Sequence, residues 1–98
     1  MARITAKGTL YGDRITVVCS EGENGIRVEF NGKQHELYEA KFRMHLKNPP
    51  PMGGTYYPEE NSMLNAFNVL ENAFFDHVTS VEAEGDIGEV PHESGLIY

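Results

Sequence analysis

The first thirty residues alternate between apolar and polar side chains with few interruptions, and that pattern constrains the fold more than any other feature of the chain. Ile4, Ala6, Gly8 and Leu10 take one set of positions, and Arg3, Thr5, Lys7, Thr9 and Tyr11 take the other. This is the two-residue period of a strand with one buried face, so residues 3–11 are expected as strand one. Gly12 and Asp13 supply a tight turn, and Ile15, Val17 and Cys19 resume the alternation across residues 14–20. The first two strands are therefore expected to form a hairpin. Residues 21–25 read as a loop, after which Ile26, Val28 and Phe30 alternate with Arg27 and Glu29 as a third strand. Asn31-Gly32 is a strong hairpin signal, because a type I′ turn needs positive φ at both central positions. A fourth strand is expected next.

Residues 38–46 contain good helix formers, yet Tyr38, Ala40, Phe42, Met44 and Leu46 alternate without error against Glu39, Lys41, Arg43 and His45. On that periodicity the segment is assigned as strand four, with its apolar residues under a helix and its cations outward. Pro49, Pro50 and Pro51 end the pairing for want of amide hydrogens. Residues 52–60 form a loop, and Asn61 or Ser62 caps a helix over residues 62–77. Met63, Ala66, Phe67, Leu70, Ala73 and Phe74 form its apolar stripe, extended toward Val78, while Asn65, Asn68, Asn72 and Asp76 lie opposite. Residues 79–84 alternate again as a last strand, and Gly95, Leu96, Ile97 and Tyr98 are apolar enough to dock on this or a neighbouring chain. The expected fold is α+β: an antiparallel sheet of four to five strands in the order ββββαβ, with one amphipathic helix packed on one face.

Ninety-eight residues fit a single domain spanning 1–98. A domain of this size hides only about 60 to 65% of its unfolded surface, so self-association into a homo-oligomer is expected to help it. One cysteine, an amino end without an apolar stretch, and no run near the length of a membrane span point to a cytoplasmic protein with no membrane partner. The net charge is -7, and the charges segregate along the chain. All eight bases precede residue 48, where they meet six acids for a net +2; residues 48–98 carry nine acids and no Lys or Arg. A polymeric nucleic acid is thereby disfavoured as partner.

Enzyme signatures are absent: there is no phosphate-loop pattern, no Gly-x-Ser-x-Gly elbow and no dinucleotide fingerprint. His35, His45, His77 and His92 share no metal-ligand spacing, so neither a metal nor another cofactor is expected. Asp76-His77 reads as a helix end and Cys19 as a buried small hydrophobe, leaving no assigned catalytic residue. The most informative stretch is Gly53-Gly54-Thr55-Tyr56-Tyr57, running toward the helix start at Asn61 and Ser62. Glycines let a ligand approach the backbone, amides at a helix start favour anions, and tyrosines offer faces to a flat ring. The same residues also suit a plain crossover from sheet to helix. Lys41, Arg43 and Lys47 on strand four would add positive charge beside this loop.

Two functions are expected from these features. One is a non-enzymatic homo-oligomer that sequesters a small anionic, nucleotide-like ligand. In size the chain is similar to the small phage proteins that act as sponges for nucleotide immune signals, a likeness of scale that rests on no shared motif. The alternative is an acidic interaction module that imitates nucleic acid and blocks a basic protein partner.

Overall fold

The computed structural model describes residues 2–22, 25–45, 56–58 and 63–88. In chain order they form β1 (Arg3–Leu10), β2 (Asp13–Gly22), β3 (Gly25–Asn31), α1 (His35–Arg43), β4 (Tyr56–Pro58), α2 (Met63–Val69), one π-helical turn (Leu70–Phe74) and β5 (His77–Glu84). The strands pair antiparallel in one sheet, ordered β4-β3-β2-β1-β5. Both helices contribute to the core on one side of it, giving the two-layer α+β class that the alternation implies.

The hairpin between β1 and β2 reverses in two residues. Tyr11 has φ 54° and Gly12 φ 82°, and Leu10 stands opposite Asp13, so the turn lies one residue earlier than Gly12-Asp13. Left-handed backbone costs a non-glycine residue about 1–2 kcal/mol, and Tyr11 is held there from outside the turn. Its amide donates to Asp76 Oδ2 at 3.1 Å, while the Asp76 amide donates to the Thr9 carbonyl at 2.8 Å. Ile4, Ala6, Leu10, Ile15, Val17, Cys19, Ile26, Val28 and Val81 are buried beneath the helices. Gly8 shares this face for a steric reason: a Cβ there would lie 2.5 Å from the His77 carbonyl oxygen and 2.7 Å from the Phe75 ring. At this point the β1–β5 register shifts, and the missing side chain lets the connection from the π-helical turn cross β1.

Strand four of the sequence reading is a helix. Residues 35–43 coil as α1, so the order is βββαβαβ rather than ββββαβ. The partner of β3 on its outer side is instead the three-residue β4, opposite Gly25, Ile26 and Arg27. The perfect alternation has a helical explanation. Tyr38 and Phe42, four residues apart, share the buried side of α1, whereas Ala40 and Met44 lie on the exposed side. A helix apolar on both sides mimics the period of a strand, and the strong helix formers of this segment decide the outcome. Met44, expected inside, is 76% exposed. Asn31-Gly32 accordingly leads into a helix and makes no hairpin. Gly32 is outside the positive-φ set and serves close packing: a Cβ there would meet the Tyr38 ring at 2.6 Å and Ile15 at 2.9 Å.

Met63, Ala66, Phe67, Val69, Leu70 and Phe74 bury the inner side of α2 and its π-helical turn. The coil stops at Phe74, and Phe75 is extended at φ -84°, ψ 152°. Asp76 and His77, expected within the helix, thus belong to the connection and to β5. Phe30, Phe42 and Phe74 form the aromatic junction between sheet and helices, with ring centroids 5.8 to 5.9 Å apart. Pro49 to Pro51 and the terminal Gly95 to Tyr98 lie outside the described residues.

Candidate functional site

With both helices on one side, the opposite face of β1, β2, β3 and β5 carries the alternate residues of each strand. The register arranges them in cross-strand rows. Arg27, Ser20, Arg3 and Glu84 form one; Glu29, Val18, Thr5 and Glu82 the next; Asn31, Thr16, Lys7 and Ser80 the third; Arg14, Thr9 and His77 the last. The centre of the face is small and hydroxyl-rich, with Thr5, Thr9, Thr16, Val18 and Ser20 all half-buried. Around it Arg3, Lys7, Arg14 and Arg27 are exposed, and none of the four enters an ion pair among the described residues. The acids Glu82 and Glu84 are confined to the edge strand β5, and Glu29 lies on β3.

The first row has the geometry of an anion site. Arg27 and Arg3 stand two strands apart with Ser20 between them, roughly 10 Å from backbone to backbone at ordinary strand spacing. Two guanidinium groups at that separation can converge on one phosphate or carboxylate, with the serine hydroxyl as a further donor. Tyr56 continues the row, since β4 places it opposite Arg27 and places Tyr57 opposite Ile26.

The structure divides the site expected from sequence. Tyr56 and Tyr57 lie on β4, whereas Gly53, Gly54, Thr55, Lys47, Asn61 and Ser62 lie outside the described residues. Lys41 and Arg43 belong to α1 in the helical layer rather than to the open face. Lys41 Nζ stands 3.9 Å from Asp76 Oδ1 and 5.9 Å from the Tyr11 ring centroid. Asp76 in turn bonds the Thr9 backbone, six residues and about 20 Å along β1 from the level of Arg3 and Tyr56. Lys41 is therefore at the far end of the sheet from the tyrosines. The row of Arg3, Ser20 and Arg27 escaped the sequence reading because cross-strand neighbours depend on register. The signal was present in the turn: a two-residue reversal at Tyr11-Gly12 fixes which residue of β2 opposes Arg3.

Other reactive side chains have structural roles. Cys19 is fully buried, and loss of solvent pushes its thiol up to about 12 from 9.0, far from nucleophilic use at neutral pH. The Asp76 carboxylate is engaged by the Tyr11 amide and by Lys41. Among the described residues no group of three His, Cys, Asp or Glu is placed to hold a metal, and no helix is long and apolar enough to cross a membrane. No family model, curated protein or solved structure matches the chain.

Proposed function

We propose that this chain is a non-enzymatic binding protein that sequesters a small anionic, nucleotide-like ligand on the open face of its sheet. The observation that carries the reading is the row Arg27–Ser20–Arg3, two exposed guanidiniums, in no ion pair among the described residues, flanking a hydroxyl. Lys7, four residues from Arg3 on the same strand, adds a third cation, so a short polyanion meets local positive charge despite the net charge of -7. Tyr56 stands opposite Arg27 at the β3 edge of the same row. Glu84 on β5 stands opposite Arg3 and bounds the row; a ligand held between the two guanidiniums on paired strands is sequestered, as in a sponge. Isothermal titration against nucleoside phosphates and cyclic nucleotides tests this directly. At least one of them is expected to bind, with affinity lowered roughly tenfold or more by Arg3→Ala or Arg27→Ala and little changed by Arg14→Ala in the far row. Absence of heat across the panel, or equal loss with Arg14→Ala, overturns it.

One feature favours the second reading, a basic protein as partner. Glu82, Glu84 and Asp86 are exposed along and just beyond the edge strand β5. Capture of a basic protein there weakens steeply as ionic strength rises, whereas salt-insensitive capture excludes charge mimicry.

A further inference from the structure

The row of Arg14, Thr9 and His77 stands at the far end of the open face from Arg3 and Tyr56. Its composition follows from one irregularity in β5. Ser80 opposes Lys7, so an unbroken ladder would set Thr79 against Gly8, Val78 against Thr9 and His77 against Leu10 on the buried side. The register shifts at Lys7/Gly8 instead, and Val78 opposes Gly8 while His77 opposes Thr9. Thr79 is the extra residue of this bulge. Its insertion carries His77 to the open face beside Arg14 and lets Val78 pack against the core. Lys7 completes a triangle: it is the diagonal neighbour of Arg14 on β2 and of His77 on β5, about 7–8 Å from each along the backbone surface. Arg14 and His77 are roughly 10 Å apart across Thr9.

All three side chains are exposed, Thr9 and Thr16 are half-buried between them, and none of the three enters an ion pair among the described residues. The two rows at this end, Asn31 to Ser80 and Arg14 to His77, contain no Asp or Glu, whereas the two at the other end hold Glu29, Glu82 and Glu84. Glu82, one row nearer Arg3, forms no ion pair with Lys7, and Asp76 is taken up by the Tyr11 amide and by Lys41. Positive charge is therefore least compensated here.

We propose that Lys7, Arg14 and His77 form a second anion site around the Thr9 hydroxyl, separate from the row of Arg3, Ser20 and Arg27, and that it takes phosphate, free or as a terminal phosphoryl group. Arg14 offers a planar fork of N–H donors, Lys7 an ammonium on a flexible stem, His77 at least one ring N–H and Thr9 a hydroxyl. Donors on three strands thus meet one tetrahedral anion, and surroundings without carboxylates favour a doubly charged one. Six residues of β1, about 20 Å, separate Thr9 from Arg3, so the phosphates of one mononucleotide cannot fill both sites.

Titration of isotope-labelled, nucleotide-free protein with inorganic phosphate at constant ionic strength, followed by amide NMR, tests the site whether or not nucleotides bind elsewhere. The amides of Lys7, Thr9, Arg14 and His77 are expected to shift saturably along one isotherm. Arg14→Ala and Lys7→Ala, changes at exposed positions, weaken that isotherm about tenfold with unaltered thermal midpoints. His77→Ala weakens it less, as does Arg14→Lys, which keeps the charge and loses the fork. Arg3→Ala, which removes a like charge from the same face, leaves it within about twofold of the parent. A parallel titration with glycerol phosphate separates the two sources: tighter binding of the ester assigns the site to the phosphoryl end of a larger ligand, tighter binding of inorganic phosphate to the free ion. The proposal is overturned by the lack of a saturable shift at these four amides, or by shifts confined to the row of Arg3. Equal weakening by Arg3→Ala and Arg14→Ala, the mark of diffuse attraction, overturns it as well.

Discussion

Single side chains in this protein are placed by their closest neighbours more than by their chemical type. Gly8 sits in a strand because Phe75 and the His77 carbonyl occupy the space a Cβ would need. Tyr11 adopts a backbone conformation suited to Asn or Gly because Asp76 holds its amide. Cys19 is the residue whose burial has a pH signature. Its thiol stays protonated in the folded chain up to about 12, while in the unfolded chain it ionises near 9.0. Between those values the folded state binds more protons, so stability falls as pH rises through the window and the contribution is complete below it. From pH 8 to pH 10 the stability gap between the parent and Cys19→Ala is expected to narrow by about 1.4 kcal/mol, read from urea unfolding at each pH. A constant gap means the thiol ionises equally in both states.

At the scale of elements, the question is what anchors a nine-residue helix too short to persist alone. Asp13, at the start of β2, accepts hydrogen bonds from Gln34 Nε2 at 2.7 Å and from the Tyr38 hydroxyl at 3.1 Å. It thereby fastens the first turn of α1 to the β1–β2 reversal. Since Tyr38 is wholly buried, removing the acceptor strands a hydroxyl away from water. Asp13→Ala is expected to cost about 1–3 kcal/mol, and distinctly less in a Tyr38→Phe background, where no hydroxyl is left unpaired. A double-mutant cycle in urea measures the coupling, and strictly additive losses would show that this bond does not hold the helix.

For the molecule as a whole, the sheet separates two surfaces with different work. Helices cover one face and close the core; the other face displays Arg3, Lys7, Arg14 and Arg27 with no ion pair among the described residues. If that face serves recognition, its cations contribute little to folding. Arg3→Ala, Lys7→Ala and Arg27→Ala are each expected to shift the unfolding free energy by less than about 0.5 kcal/mol. A loss beyond 1 kcal/mol in any of them, measured by chemical denaturation, would assign that side chain to the fold instead.

The strands and α2 were legible in the chain because each has a single buried side, and a single buried side writes its own period into the sequence: two for β1, β2, β3 and β5, between three and four for α2. The cations of the open face were legible for the same reason, as the polar half of that alternation. The segment from Tyr38 to Met44 was not, because a helix with apolar residues on opposite sides produces the alternation of a strand, and only contact with Phe30 and Phe74 shows which aromatics turn inward. Nor could periodicity say that Arg3, Ser20 and Arg27 stand in one row or that Lys41 lies far from Tyr56. Those neighbourhoods join residues distant along the chain, and only strand register and helix docking bring them together or keep them apart.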